Sequence, residues 1–365
     1  MARFGIEEEF VLLDEQALVP VAIPDAARDD LAARAASGRI MAEYLTCQVE
    51  CATDPILTRD EGLRQLQHLR GLLGAHAARD GAVVAASGTP FASTRVLAVS
   101  TSAHYDAVAE HLAHISRGHE VNGLHVHVEV PDAAERVPAI NRVRGWLPTL
   151  LALTGNSPFF DGLDSGYASW RSIVIRRLPS SWSPPLFHDL DDYRARVDRL
   201  LALEAIGDTA SLSWAARISE RFPTVEVRVF DAQLHPEETM FAAALCRAIV
   251  ATTDAAMSSA GVDDIDAALW VAARRGMDAR IIDPTTDGVT DAWTAATRLR
   301  DAVRPALDEL GDLAFVDEHL ARIRTGGTGA ERQRRAFAEA GLEGLRSLYR
   351  RGAPDTGETS HPGAP

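Results

Sequence analysis

The sequence predicts an α+β fold built around a mainly antiparallel sheet. Strand-like segments occupy residues 3–13, 46–52, 82–87, 123–130, 211–219 and 224–231, and they do not alternate regularly with helices. Beyond residue 235 the apolar positions recur almost entirely at helical spacing. This arrangement indicates a sheet with helices packed on one side.

The individual elements follow from the spacing of apolar residues. In the segment 46–52, the polar Gln48 and Glu50 alternate with apolar neighbours, as they do on a strand. Leucines recur at helical spacing between residues 60 and 79, and Thr58 supplies an N-cap. Further helices are predicted at 105–117, 135–154, 190–206, 236–259, 263–274, 290–309, 313–324 and 330–350.

One long polar segment, residues 156–171, separates a predicted helix from the next elements. It is rich in Asn, Ser, Gly, Pro and Asp but contains Phe159, Phe160, Tyr167 and Trp170, which argues for an ordered, functional loop. No linker or repeat interrupts the chain, so residues 1–351 are predicted to form one domain. Residues 352–365 lack apolar anchors and are predicted to be a disordered tail.

Composition restricts the class of ligand. The 365 residues carry a formal net charge of −15, which argues against a nucleic-acid surface because phosphate backbones require clustered Lys and Arg. No segment approaches the length of a membrane span. The three cysteines form no zinc pattern and leave at least one unpaired, which favours a reducing compartment. We therefore expect a cytoplasmic protein that binds small molecules.

Three of the strand-like segments place two charged or metal-competent side chains two residues apart. Alternate side chains on a strand share a face, so each pair lies on one face of its strand. If the three strands belong to one sheet, that face gathers carboxylates, imidazoles and a guanidinium, a set suited to divalent cations and phosphate. The pairs are Glu7 with Glu9, His125 with His127, and Glu226 with Arg228.

Each pair also has a purely structural interpretation. The glutamates could protect an edge strand, the histidines could be hydrogen-bonded in a core, and the third pair could join neighbouring strands. Glu50 taken alone is typical of a surface carboxylate, and Arg171 of a surface arginine, although Arg171 could also clamp a carboxylate or phosphate. Their coincidence favours a site for Mg²⁺ or Mn²⁺, because zinc recruits more His or Cys.

Six sequence blocks also occur in a distinctive order. They read GIEEE at 5–9, VECATD at 49–54, HVHV at 125–128, NSPF through ASWR at 156–171, TVEVRVFD at 224–231 and GTGAERQR at 327–334. In this combination they resemble the type 2 glutamate–cysteine ligase family, also called carboxylate–amine ligases. The resemblance extends from residue 5 to about residue 350.

The resemblance implies an antiparallel sheet of the glutamine synthetase type, whose concave face holds ATP and Mg²⁺, with Mn²⁺ as an alternative. It implies that His127 lies near the nucleotide, and that Arg171 and Arg228 face the acyl substrate or the transferring phosphate. A homodimer is also compatible with it. The implied metal ligands are Glu7, Glu9, Glu50, His125 and Glu226.

Three positions depart from the family's usual pattern. The turn Gly88-Thr89-Pro90 lacks the His that usually precedes its Pro, and Glu129 follows the HVHV run where a small residue is usual. A Trp-Asp-Ile-Arg-Pro stretch is reduced to WAARI at 214–218. These departures leave the implied metal ligands in place and bear on the substrate pocket.

The resulting hypothesis is ATP-dependent amide-bond formation through an acyl phosphate. By resemblance the carboxylate is that of glutamate, the acceptor is cysteine or another amine, and the loop 156–171 is a candidate lid. Two alternatives stay open at this stage. One is a metal-dependent hydrolase in which His125 and His127 hold zinc. The other is a non-catalytic protein that binds nucleotide or amino acid as a regulator.

Overall fold

The computed structural model describes residues 2–93, 98–180, 182–254 and 257–354. The strands in these ranges are β1 (Phe4–Asp14), β2 (Arg39–Ala42), β3 (Gln48–Ala52), β4 (Ala82–Ala85), β5 (Gly123–Glu129), β6 (Phe159–Phe160), β7 (Leu163–Asp164), β8 (Ala216–Ile218), β9 (Thr224–Asp231), β10 (Arg280–Asp283) and β11 (Gly288–Asp291). The helices are α1 (Asp25–Arg34), α2 (Arg59–Arg79), α3 (Ala103–Leu112), α4 (Ala133–Thr154), α5 (Trp170–Ile175), α6 (Leu190–Ala202), α7 (Pro236–Ala251), α8 (Val262–Arg275), α9 (Ala292–Ala302), α10 (Arg304–Leu310), α11 (Leu313–Gly326) and α12 (Gly329–Gly352).

Seven of these strands form one sheet, in the order β2-β3-β1-β5-β9-β8, with β4 also pairing with β1. Every ladder in this sheet is antiparallel. The α+β class with a mainly antiparallel sheet is therefore confirmed. The remaining strands form two separate two-stranded hairpins, β6 with β7 and β10 with β11.

The central strand β1 determines where the sheet has an open face. From Phe4 to Phe10 its residues alternate between buried and partly exposed, so one face meets the helices and the other stays accessible. From Phe10 to Leu13 every residue is buried, because α12 packs its Leu348 and Tyr349 against this end of the sheet. The accessible face is thus confined to the first half of β1 and the strands beside it.

Helices α4 and α7 cover the opposite face of the central strands. Both are buried along nearly their whole length, and their apolar side chains join those of β5 and β9 in the largest core cluster. Burying apolar surface contributes roughly 25 cal/mol per Å² to the free energy of folding, so this layer of helices stabilises the central strands. No helix of the described chain combines the length and apolar composition needed to cross a membrane.

Several elements differ from the sequence prediction. The strand expected at 211–219 is limited to Ala216–Ile218, because Leu212 and Trp214 turn into an apolar cluster. The helix expected at 290–309 begins as β11 and then divides into α9 and α10, with Pro305 in the first turn of α10. A proline cannot continue the backbone hydrogen bonds of a preceding helix, so a new helix begins there.

The end of the chain is packed further than the sequence suggested. Helix α12 ends at Gly352 rather than at 350, and Ala353 is buried against α2. The Nη1 atom of Arg70 donates a hydrogen bond of 3.2 Å to the carbonyl oxygen of Gly352. Of the tail predicted to be disordered, residues 352–354 are therefore in contact with the fold, and residues 355–365 lie outside the described residues.

Candidate active site

The register of the sheet brings the three predicted pairs together. Strand β1 runs between β3 and β5, and β5 in turn pairs with β9. Side chains directly opposite one another on neighbouring strands lie close on the same face. The opposed residues are Glu9 with Glu50, Glu7 with His125, and His127 with Glu226.

Two groups of possible metal ligands lie on this face. Within each group the ligand atoms are all within 4.8 Å of one another. Both groups consist mainly of carboxylates, which are the ligands that Mg²⁺ and Mn²⁺ prefer. The first group is Glu7, His127 and Glu226, and the second is Glu9, Glu43 and Glu50.

The two histidines lie at different places relative to the two groups. His127 belongs to the first group, with its Nε2 atom 3.5 Å from Glu7, while its Nδ1 atom is 2.9 Å from the hydroxyl of Thr224. Such a second hydrogen bond fixes a ligating ring in orientation. His125 lies between the groups, 3.5 Å from Glu7 and 3.8 Å from Glu9. Both imidazoles therefore lie within reach of the carboxylates that could hold a metal ion.

The electrostatics of the second group favour a bound cation. Burial raises the pKa of Glu43 to about 8, and the charge of Glu9 adds to this effect. Burial also raises the pKa of Glu50 well above its usual range, with further contributions from Glu7, Glu43 and Glu9. Carboxylates that repel one another in a buried site are stabilised by a bound divalent ion. The residues present therefore fit Mg²⁺.

Glu226 is held in its charged form by two arginines. The Nε atom of Arg217 is 2.8 Å from Glu226 Oε2, and Arg228 contacts Glu226 Oε1. Burial opposes ionisation of this carboxyl, but Arg228 and Arg217 outweigh it and lower its pKa. An ionised carboxylate is the form that binds a metal ion.

Arg171 is a buried cation that no carboxylate of the described residues contacts directly, although the charges of Asp231 and Glu9 act on it. Its side chain lies in the first turn of α5 and is 2% exposed, and it forms no ion pair with a carboxylate of the described residues. Its two Nη atoms are 3.4 Å from the carbonyl oxygen of Arg228, and its Nε atom has no hydrogen-bond partner. Gly123 makes room for it, since a Cβ there would lie 2.4 Å from Arg171 Nη2. The guanidinium is positioned to bind an anionic ligand.

Two adjoining cavities open beside this face. The inner cavity, of about 130 Å³, is lined by Glu9, His125, Arg171 and Arg228 among others. The outer cavity, of about 310 Å³, is lined by α3 and the segment 205–213. Both are bordered by Glu43, Tyr44, His119, Leu178, Ser213 and Arg228, so the two cavities are adjacent.

All eight residues predicted for the site lie around this face, but two further charged residues were missed. Glu43 follows directly after β2, a strand of four residues that the sequence reading did not identify. Arg217 lies within the stretch 214–218, which was noted only as a departure from the family pattern. Arg217 lies on β8, opposite Glu226 of β9, and this pairing can be seen only from the strand register.

The segment 156–171 is anchored rather than free. Asn156, Ser157 and Ser169 are fully buried, and both serine hydroxyls donate hydrogen bonds of 2.8 Å to Asp231. The backbone N–H of Asn156 donates to the same carboxylate. These bonds fix both ends of the segment, so its main structural effect is to place Arg171 at the site.

The three departures from the family pattern have structural surroundings of their own. Thr89 is buried and donates a hydrogen bond of 2.8 Å to the carbonyl oxygen of Phe159. Trp214 is buried against Phe187, with ring centroids 5.2 Å apart. Glu129 lies at the end of β5 and accepts a hydrogen bond from the backbone of Arg3. None of these three side chains belongs to the metal-ligand groups of the described residues.

Comparison with known proteins agrees with this geometry. A family model described as glutamate–cysteine ligase family 2 matches residues 3–351. A protein of Saccharopolyspora erythraea provisionally named glutamate–cysteine ligase 2-2 is 40% identical over 348 residues, covering 92% of this chain and 88% of that protein. A protein of Mycolicibacterium smegmatis, provisionally named glutamate–cysteine ligase 2-3, is 37% identical over 341 residues, covering 92% of this chain and 93% of its own.

Solved structures share the fold at much lower identity. The glutamate–cysteine ligase of Francisella tularensis, solved in complex with AMP, has a TM-score of 0.72 at 13% identity, covering 98% of this chain and 89% of its own. A bifunctional glutathione synthetase of Pasteurella multocida has a TM-score of 0.70 at 14% identity, covering 96% of this chain and 52% of its own.

Proposed function

The chain belongs to the glutamate–cysteine ligase family 2, a family of ATP-dependent carboxylate–amine ligases, and on that premise we propose how its site works and what it joins. The observation that carries this proposal is the shared face on which two carboxylate-rich groups lie beside the buried guanidinium of Arg171, whose Nε atom has no hydrogen-bond partner among the described residues. This arrangement suits a reaction between a nucleoside triphosphate and an anionic substrate.

In the proposed reaction a substrate carboxylate oxygen attacks the γ-phosphorus of ATP. The bond to the ADP oxygen breaks, and an acyl phosphate forms. The amine nitrogen then attacks the acyl carbon, phosphate leaves with the former carboxylate oxygen, and the nitrogen loses a proton to give the amide. Arg171 orients the carboxylate, Arg228 contacts the phosphates, and His127 lies near the nucleotide.

Magnesium ions are proposed to be held by the two groups on the sheet face. When bound, Mg²⁺ neutralises charge on the phosphate oxygens. The mutual repulsion of the buried carboxylates supports this assignment, because a cation relieves it. The proposed ligands are Glu7, Glu9, Glu43, Glu50 and Glu226, with His125 and His127 as the available imidazoles.

The two ends of the face are proposed to bind different substrates. At the His127 end, the ring of Phe222 is 45% exposed and meets the imidazole edge-on at 6.2 Å, which offers an apolar surface for a nucleotide base. At the other end, the inner cavity with Arg171 is proposed to take the carboxylate substrate. The AMP bound to the Francisella tularensis ligase supports the use of ATP.

Glutamate is proposed as the carboxylate substrate. The names of the curated relatives refer to it, and a cavity of about 130 Å³ with one buried guanidinium accommodates a small dicarboxylate. Zinc-dependent hydrolysis is not supported, because each ligand group contains at most one imidazole. We also propose that residues 1–351 form one domain, in agreement with the family match over 3–351.

A coupled assay of ADP release tests the proposal. The protein is incubated with ATP, Mg²⁺, glutamate and a panel of primary amines, with single omissions of each component. We expect ADP release that requires both the carboxylate and an amine. If folded protein binds ATP but releases no ADP with any amine, the site is that of a regulator and the ligase function is wrong.

A further inference from the structure

The outer cavity borders the inner cavity that is proposed to take the carboxylate substrate. The border runs along Glu43, Tyr44 and His119, and the outer cavity does not reach His127 at the opposite end of the face. If the carboxylate is activated beside Arg171, the space next to it that remains for a second reactant is the outer cavity. This step rests on the proposed ligase function.

The lining of the outer cavity is mostly apolar. Its volume of about 310 Å³ is more than twice that of the inner cavity, and it falls within the range of roughly 300–1,000 Å³ seen for small-molecule sites. A cysteine side chain would leave most of this space unfilled and would find no apolar contacts beyond its methylene. Apolar side chains that face the cavity are Val108, Leu112, Leu178, Ile206 and Leu212.

The charges in the outer cavity do not suit an amino acid. The chain has no lysine, and the one arginine among the described lining residues, Arg228, already contacts Glu226. Two of the three histidines that line it are engaged: His104 lies 3.7 Å from Asp208, and His111 is 3.2 Å from the carbonyl oxygen of Ala205. The third, His119, offers no positive charge, because burial lowers its pKa to about 4. An α-carboxylate would find no free cation here, whereas an ammonium group approaching along Asp208 would be attracted.

Two unpaired polar atoms lie where the cavities meet. The hydroxyl of Tyr44, a residue that is 8% exposed, and the Nδ1 atom of His119 are both buried without a hydrogen-bond partner. Burial lowers the pKa of His119 to about 4, and Arg177 and Arg171 add to the effect, so the ring is neutral. A neutral imidazole and a phenol can both accept a hydrogen bond from an amine.

We propose that the acceptor is a primary amine with an apolar body and no carboxylate, bound in the outer cavity with its nitrogen between Tyr44 and His119. An arylalkylamine has this chemistry. The acceptor is therefore not cysteine, although the carboxylate and the ATP chemistry of the family are retained.

Matched pairs of amines isolate the effect of the carboxylate. ADP release is compared for 2-phenylethylamine against phenylalanine, and for cysteamine against cysteine. We expect kcat/KM to be at least about 10-fold higher for each decarboxylated member, and highest for 2-phenylethylamine, since filling an apolar pocket is worth about 10-fold or more per methylene. A kcat/KM for cysteine that equals or exceeds the value for cysteamine overturns the proposal.

A variant that fills the outer cavity tests its location. Ala107 is an exposed residue of α3 that lines the cavity, and Glu110 is an exposed residue of the same helix that does not. We expect Ala107→Trp to raise KM for 2-phenylethylamine at least about 10-fold, with KM for ATP and glutamate within about twofold of the wild type. Glu110→Trp should change none of them. A raised KM for ATP in Ala107→Trp would show that the cavity holds the nucleotide, and the proposal would fall.

Direct binding separates this inference from the ligase function. Calorimetry measures the binding of 2-phenylethylamine in the presence of Mg²⁺, glutamate and a non-hydrolysable ATP analogue. Binding that is lost in Ala107→Trp supports the amine cavity even if no amine releases ADP, in which case only the ligase function falls. Cysteine-dependent ADP release without binding of 2-phenylethylamine retains the ligase function and rejects the amine proposed here.

Discussion

Glu8 and Arg70 form a buried ion pair beneath the candidate active site. Arg70 Nη2 lies 2.6 Å from Glu8 Oε1, and Arg70 Nε lies 3.1 Å from Glu8 Oε2, so the two groups meet in a bidentate fork. Glu8 stands between two glutamates of the site, but alternation along β1 turns it towards α2. Three consecutive glutamates therefore serve two purposes on opposite faces of one strand.

The first prediction concerns this ion pair. Glu8→Gln should lower the free energy of unfolding by about 3–5 kcal/mol, because Arg70 would remain buried with an uncompensated charge. Urea denaturation measures the change. Glu7→Gln is the matched control on the opposite face and should lower the free energy of unfolding by less than about 1 kcal/mol. Equal losses in the two variants would contradict the assignment of the two faces.

The second prediction concerns metal-dependent nucleotide binding. Glu7→Gln should weaken the Mg²⁺-dependent binding of a fluorescent ATP analogue by roughly 100-fold, because one anionic ligand of the first group is lost. Titrations with and without Mg²⁺ measure this. Glu220→Gln, on the exposed hairpin between β8 and β9, should bind as the wild type does. Unchanged binding in Glu7→Gln would remove Glu7 from the metal site.

The third prediction concerns Arg171. Arg171→Lys keeps a positive charge but loses the planar fork, so KM for the carboxylate substrate should rise by roughly 10–100-fold while KM for ATP changes little. Steady-state kinetics with each substrate varied in turn distinguish the two effects. Arg177 is an exposed residue just beyond the end of α5, and Arg177→Lys should leave KM for the carboxylate and KM for ATP unchanged. A rise in KM for ATP alone would place Arg171 at the nucleotide instead.

The fourth prediction concerns stability in mild acid. Burial lowers the pKa of His119 to about 4, below its ordinary value of 6.5. Between those pH values the unfolded chain takes up a proton that the folded protein does not, so the free energy of unfolding decreases as the pH falls through this window, by up to about 1.4 kcal/mol per pH unit. His119→Gln should show a smaller decrease in urea denaturation from pH 6.5 to pH 4.5, while His104→Gln, at a half-exposed position, should match the wild type. A slope in His119→Gln as steep as the wild type's would exclude this group.

The fifth prediction concerns the end of the chain. A protein ending at Arg351 lacks the Gly352 carbonyl that Arg70 binds and the buried Ala353. Its Tm should be roughly 3–8 °C below that of a protein ending at Pro354, because an unsatisfied buried donor is added to the lost packing. Differential scanning calorimetry of the two truncated proteins makes the comparison. Identical Tm values would show that the contacts of residues 352–354 add nothing to stability.

The sequence was most informative where polar and apolar residues repeated with a single period along a segment. Alternation around Glu7 and Glu9, and again around His125 and His127, was enough to place each pair on one face of a strand, and the order of the blocks was enough to indicate the family. Short elements were missed because they carry too few residues for a period to emerge. Strand β2, which precedes Glu43, has four residues.

By itself the sequence determined the residue types of the site, the strands that carry most of them and the family. Only the tertiary structure decided which side chains meet, because the antiparallel register sets Glu9 opposite Glu50 and His127 opposite Glu226 across long separations in the chain. It also decided that Arg171 is buried, with no carboxylate of the described residues in direct contact, and that two cavities are adjacent at Tyr44. Burial and cavity shape arise from the packing of distant segments, and no local pattern of side chains contains them.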